Sequence, residues 1–163
     1  MTESFNYPVS NISNNYSISF EGHQRLEQNI SEVTVPGISV GFSETFNMSK
    51  RVKVPHRSVE PEYDELIVNF NALEDYSNYW EVWTWIRDYK HSTRNGEMST
   101  LMKDITLYNY NLNKDLIRKI YYKYCFPSML SDVTVNNTQG DTEIAIFTVN
   151  FIVNDIIVGD LLQ

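Results

Sequence analysis

The sequence predicts a mainly β fold of the α+β class: one small β-barrel or sandwich, flanked by a single aromatic α-helix and interrupted by a long charged loop. Three observations carry this expectation. Apolar residues alternate in period two along most of the chain, as in Leu66, Val68 and Phe70. One segment changes period: Tyr76, Tyr79, Trp80, Trp83 and Ile86 recur at i, i+3, i+4, i+7 and i+10, which is one face of a helix. The chain has 163 residues, 42% hydrophobic, with a single cysteine, so it suits one domain whose core needs neither disulfides nor a structural metal.

Taken in order, residues 1–15 are rich in Asn and Ser and read as an extended arm that orders against a neighbour; the domain proper is expected over 16–163. The Asn-x-Ser triplets at Asn11 and Asn15 carry no weight in so Asn-rich a segment. Tyr16, Ile18 and Phe20 alternate, and Ile30 to Val35 continues the β-branched bias up to Pro36-Gly37, which predicts an opening hairpin. Ile38, Val40 and Phe42 alternate again before NMSKRVKVPHRSVEPEYD, a long excursion with a strand-like stem at Val52 and Val54. The strand Leu66 to Phe70 follows, then the helix. Asp75 or Ser77 is placed to cap its start, and Arg87, Lys90 and His91 suit its negative end. Val82, Trp85 and Tyr89 form a second stripe, so the helix is expected either to be buried on two sides or to meet another subunit. On this basis Trp83→Ala is expected to cost roughly 3–5 kcal/mol as a core truncation.

Beyond a loop over Ser92 to Thr100, Ile105 and Leu107 begin a strand. Lys114 to Phe126 alternates with Ile120, Tyr122, Tyr124 and Phe126 on one side, and Pro127-Ser128 is expected to end it. After a turn near Asn136 to Asp141, Glu143 to Val153 is apolar on both faces, as a central or covered strand is. The total is seven or eight strands and one helix.

The composition narrows function. Thirteen Lys+Arg against twenty-one Asp+Glu give a formal charge of -8, which disfavours gripping phosphate or anionic lipid. The N-terminus has neither a basic n-region nor an apolar h-region, and no run approaches the roughly 18 apolar residues of a membrane span, so a soluble protein is expected. His23, His56 and His91 sit in or beside turns without ligand spacing, Cys125 reads as a small buried hydrophobe, and the six glycines form no phosphate loop. The carboxylates Glu60, Glu62, Asp64 and Glu65 match no calcium loop and read as a solvated acidic face. Neither an enzyme nor a cofactor or metal is expected.

Charge distribution says more than its total. Lys50, Arg51, Lys53 and Arg57 fall within one short stretch without an acid, whereas Tyr124 to Gln163 has five acids and no Lys or Arg. These are either two ordinary solvated surfaces or complementary patches through which one copy meets the next. A contact of the second kind is heterologous and generates rings or open filaments. Eleven tyrosines and three tryptophans offer anchors for buried subunit contacts.

The succession VPGISVGFSETFNMSKRVKVPHRSVEPEYDELIVNFNALEDYSNYWEVWTWI, followed by KIYYKYCFPSMLSDVTVNN and IAIFTVNFIVND, resembles the tail-tube proteins of contractile-tailed bacteriophages, over about residues 33–155. The resemblance implies a β-barrel with a flanking helix, assembled as hexameric rings whose strands join into one continuous inner barrel and whose rings stack into a hollow tube. It places Lys50, Arg51, Lys53 and Arg57 at the contact between rings. It makes Glu60, Glu62, Asp64, Glu65 and Glu143 candidates for a lumen whose negative charge lets DNA pass without specific binding. It also makes the helix residues Tyr76, Tyr79, Trp80, Trp83, Trp85 and Ile86 core or subunit contacts. The implied partners are further copies, the tail sheath, and baseplate or terminator proteins, in a virion tail assembled in the host cytoplasm. Baseplate tube-initiator and tail-terminator rings share the fold and are the alternative within the class; bacterial injection systems use related tubes. A monomeric β-barrel ligand-binding module is the alternative of another class.

Overall fold

In the computed structural model of the chain the described residues are 15–47, 50–55, 60–91, 101–134 and 144–159. In order they form β1 (Tyr16–Phe20), a 3-10 turn (Gln24–Leu26), β2 (Ile30–Thr34), β3 (Ile38–Ser39), β4 (Phe42–Asn47), β5 (Lys50–Pro55), β6 (Glu62–Tyr63) and β7 (Leu66–Asn71). The helix α1 (Ser77–His91) and the strands β8 (Lys103–Tyr110), β9 (Leu116–Leu130), β10 (Ile146–Ile152) and β11 (Asp155–Val158) complete the set. The architecture is mainly β with one flanking helix, as the periodicity predicts.

Seven strands form one antiparallel sheet in the order β1-β8-β9-β10-β7-β2, with β11 beside β9. The organising element is β9. Its first part pairs with β8 through Cys125, and its last part pairs with β10 from Phe126 to Leu130. Where it passes from one partner to the next, Tyr124 adopts φ 53 and the β8 register slips opposite Asp104. Asp104 holds this bulge by accepting from the Tyr124 N–H at 3.2 Å and from the Lys123 ammonium. A bulge of this kind bends a strand and re-aims its side chains. Tyr124 is therefore turned outward, 61% exposed, and Cys125 takes the core position. The expected inward Tyr124 is corrected on this point. So is the expected end at Pro127: a second bulge accommodates its missing N–H, and the strand runs on to Leu130.

The expected opening hairpin is also absent. β1 pairs with β8 and β2 with β7, so the two stand at opposite ends of the strand order. The intervening turn drives Leu26 wholly into the core and carries the chain across it. Asn15, placed in the arm by composition, belongs to the fold: its amide donates to Asn111 O at 2.9 Å and accepts from Lys114 Nζ at 2.8 Å. Residues 1–14 lie outside the described residues.

The core sits between one face of the sheet and α1. Phe20, Phe70, Phe147 and Phe151 meet there with ring centroids 5.2–5.9 Å apart, surrounded by Ile18, Leu66, Val68, Ile105, Leu107 and Val149. Burying side chains of this size contributes about 1.5–3 kcal/mol each. The helix is anchored at its start by Asn78, which is fully buried, donates to Asn71 O at 2.9 Å and accepts the Leu73 and Tyr79 N–H groups. Asp75 accepts from Ser77 N–H at 3.0 Å, and that bond holds its carboxyl below the usual range.

Candidate assembly surfaces

The long excursion is a two-step ribbon. At its base Ile38 pairs with Tyr63 and Ser39 with Glu62, with Gly37 accepting from Asp64 N–H at 3.0 Å. Beyond the base, β4 pairs with β5 from Phe42↔Pro55 to Asn47↔Lys50. Residues directly opposite share a face. One face therefore carries Phe42, Glu44, Arg51 and Lys53, and the other Ser43, Thr45, Val52 and Val54 with Lys50. Arg51 lies 3.6 Å from Glu44, and Lys53 stands 4.6 Å over the Phe42 ring. An acid from the opposite strand of the ribbon thus joins the basic cluster, yet one Glu against three cations leaves the ribbon basic. Ile38, Val40, Phe42, Val52 and Val54 are all exposed, at 36–64%. Phe42 lies on one face of the ribbon and Val52 and Val54 on the other, so neither of its faces is covered by the described residues. Arg57 lies outside the described residues.

The helix separates its two stripes. Val82 and Trp85 are buried, and Tyr79, Ile86 and Tyr89 pack partly against the core. Trp85 Nε1 and the Tyr89 hydroxyl both donate to Leu101 O, at 2.7 and 3.0 Å. Trp80 and Trp83 face out, 54% and 41% exposed, in an edge contact of 5.8 Å with Arg87 stacked on Trp83 at 5.1 Å. Trp83 is thus not a core residue, and the expectation of a core truncation there is corrected. Tyr76 precedes the helix at φ 54 and is half-buried.

A third surface is the sheet face turned away from the core. Along β2-β7-β10 the buried positions alternate with Glu32, Asn69 and Thr148 in one row, and β9 adds Ser128, with Ser131 just beyond its end. Asn69 Nδ2 donates to Glu32 at 3.0 Å, Thr148 Oγ1 to Asn69 Oδ1 at 2.7 Å, and Ser131 Oγ accepts the Thr148 N–H at 2.8 Å. In a parallel row Asn150 Nδ2 and Ser128 Oγ both donate to Glu65, at 2.6 and 3.0 Å. Ile67, Met129 and Ile146 share the face. Its described charges, Glu32 and Glu65, are both acidic. Glu60, Glu62 and Asp64 are exposed on the returning limb of the ribbon and do not join it; Glu143 lies outside the described residues. The signal for this face was the polar parity of Asn69 and Asn71 in β7 and of Thr148 and Asn150 in β10, which a search for carboxylates alone passes over.

The same four strands have two open edges among the described residues. β2 pairs with β7 on one side only, and β9 from Phe126 onward pairs with β10 on one side only. Strand directions alternate from β9 through β10 and β7 to β2, so β9 of a second copy laid beside β2 continues the antiparallel order.

Chemically reactive groups are quiet. Cys125 is buried, which pushes its thiol up to about 12. His23 stacks on Trp85 at 4.3 Å with Nδ1 2.9 Å from Glu81, in a shallow groove that also contains Arg25, Asp88 and Lys103. Among the described residues no group of three His, Cys, Asp or Glu side chains is placed to hold a metal ion, and no helix is long and apolar enough to cross a membrane.

No protein-family model matches the chain, and no curated protein matches it. Solved structures do. A chain of the PVC sheath/tube terminator, from an extracellular contractile injection system in its extended state, superposes with a TM-score of 0.69 at 16% identity, over 96% of this chain and 99% of that one. A chain of the PVC sheath-tube complex gives 0.67 at 18% identity, over 98% and 99%. A chain of the tube-terminating cap of the anti-feeding prophage gives 0.68 at 12% identity, over 93% and 92%. Over 93–98% of its length the chain shares the tail-tube fold of these contractile injection system chains.

Proposed function

We propose that the chain is a structural subunit of the tube of a contractile tail, assembling head to tail into hexameric rings that stack into a hollow conduit. The observation that carries this reading is the four-stranded sheet β9-β10-β7-β2, with an edge open at each end and strand directions that continue across a head-to-tail join. Repetition of such a heterologous contact closes a ring if the rotation permits. The hydrogen-bonded polar face then lines the lumen. Its acidic charges repel phosphate and favour passage of DNA without adhesion. The helix lies on the opposite side of this sheet, which turns Trp80 and Trp83 outward toward a sheath. The basic ribbon reaches the adjacent ring through Lys50, Arg51 and Lys53. No catalysis is assigned.

A terminator ring at the tube's end is the second reading, favoured by the likeness to a sheath/tube terminator and to a terminating cap. Light scattering on the purified protein across a concentration series tests the proposal. Species with a mass of about six times the 19.1 kDa subunit, or larger stacks of these, are expected. A strict monomer at every concentration counts against it and favours a binding module instead.

A further inference from the structure

The two open edges of the sheet β9-β10-β7-β2 specify more than a direction of joining. Asn71 N–H donates to Asn29 O at 2.7 Å and Ala72 N–H to Ala145 O at 2.8 Å, so odd residues of β7 bond to β2 and even ones to β10. Glu32 and Thr34, opposite Asn69 and Ile67, are therefore committed to β7, and Val33 directs its backbone N–H and C=O to the open edge. At the other end Ser131 N–H donates to Thr148 O at 2.9 Å. Ser131 and Met129 are thus committed to β10, and Leu130 directs its backbone groups to its own open edge. Val33 and Leu130 share a second property, since each packs partly against the core.

We infer that Val33 of one copy lies directly opposite Leu130 of the next, which fixes the seam of the ring in a single register; this inference rests on the head-to-tail reading above. The two residues then exchange both backbone hydrogen bonds and cover each other on the core side of the sheet. Other registers fail on chemistry. A slip of one residue turns each apolar side chain to the polar face, and a slip of two sets Val33 against the exposed Asp132. In the other direction the next residue is Ser128, which lies on the polar face and donates to Glu65. Pro36 and Pro127, which have no N–H to offer, fall together at one end of the seam, where the ladder stops.

The polar face supports the same register independently. Asn69 donates to Glu32, Thr148 Oγ1 donates to Asn69, and Thr148 N–H donates to Ser131 Oγ, so Glu32 begins a hydrogen-bonded row and Ser131 ends it. With Val33 opposite Leu130, Ser131 of one copy stands beside Glu32 of the next. The Ser131 hydroxyl, which donates to Asp132 O at 3.2 Å within the subunit, then has a carboxylate oxygen to donate to. Such a charge-assisted bond is the stronger of the two. The rows join end to end into a belt around the ring.

Cysteine pairs in the full-length chain test the register. Glu32→Cys with Ser131→Cys makes a non-hydrogen-bonded pair across the seam, with Cα atoms about 4.5 Å apart and within disulfide reach. In one chain the same positions are three strand spacings apart, roughly 14 Å, so the bond forms only between copies. Mild oxidation of the concentrated protein should give a ladder of covalent oligomers. Glu32→Cys with Met129→Cys, a diagonal pair about 7–8 Å apart, should give at least about tenfold less. Cys125 is buried and takes no part. In the unaltered protein, assembly should slow amide exchange at Val33 and Leu130 about tenfold or more and leave Thr34 and Met129 unchanged. Preferred linkage through Met129, or assemblies in which Val33 and Leu130 gain no protection, would overturn the register and leave the head-to-tail reading standing. A protein that stays monomeric and unlinked at every concentration would overturn both.

Discussion

Strands β10 and β5 differ little as sequence and entirely as structure. Phe147, Val149 and Phe151 alternate with polar residues, as Val52 and Val54 do. The first set is buried in the centre of the sheet, while the second is 36–42% exposed on a two-stranded ribbon. A two-stranded ribbon has no second layer and is marginal by itself. Alternation therefore reports a strand with one apolar face, but not which molecule covers that face. The body of the subunit covers its own; in the proposed assembly the ribbon's is covered by another copy.

The largest test of that contrast uses the two faces of α1. Trp85→Ala, which empties a buried site and removes the bond to Leu101 O, should cost about 3–5 kcal/mol in chemical denaturation. Trp83→Ala should cost no more than about 1 kcal/mol in the isolated subunit. Equal losses would mean that both stripes are core. A smaller effect is expected at Tyr122, whose ring is fully buried while its hydroxyl has no hydrogen-bond partner among the described residues. Tyr122→Phe should stabilise the fold by about 1 kcal/mol. Burial pushes this hydroxyl up to about 12 from its ordinary 10. The neutral form is thus favoured by folding: its contribution is fully present below pH 10 and is lost between pH 10 and 12, as the unfolded chain ionises first. In Tyr122→Phe, denaturation midpoints should fall less steeply across that window.

The smallest effect on stability is expected in the ribbon. Replacing Lys50, Arg51 and Lys53 together by Glu should change unfolding free energy by only about 0.5 kcal/mol, since exposed charges contribute little. The same variant should nonetheless form single rings without stacks in sedimentation runs. Stacks in normal yield would show that the ribbon's charge does not join rings.

Much of this was legible in residue types. The helix over Ser77–His91, the strand at Leu66 and the exposed basic excursion follow from periodicity and charge. The partner of β1 was not, because strand pairing here spans about 90 residues and no local turn signals it. Nor was the course of β9: Pro127 reads as a terminator until a bulge is seen to absorb it, and Tyr124 reads as inward until its positive φ reverses it. Two apolar stripes on α1 could not be ranked, since the 41% exposure of Trp83 depends on what packs above it. At the polar sheet face, counting carboxylates drew attention to Glu60–Glu65, whereas the register assembles Asn69, Thr148 and Asn150 around Glu32 and Glu65.

The head-to-tail sheet is the central claim, and negative-stain electron microscopy of the purified, concentrated protein tests it most directly. Six-fold class averages with an open centre are the predicted result. Compact particles of monomer size, with no central hole at any concentration, would contradict it.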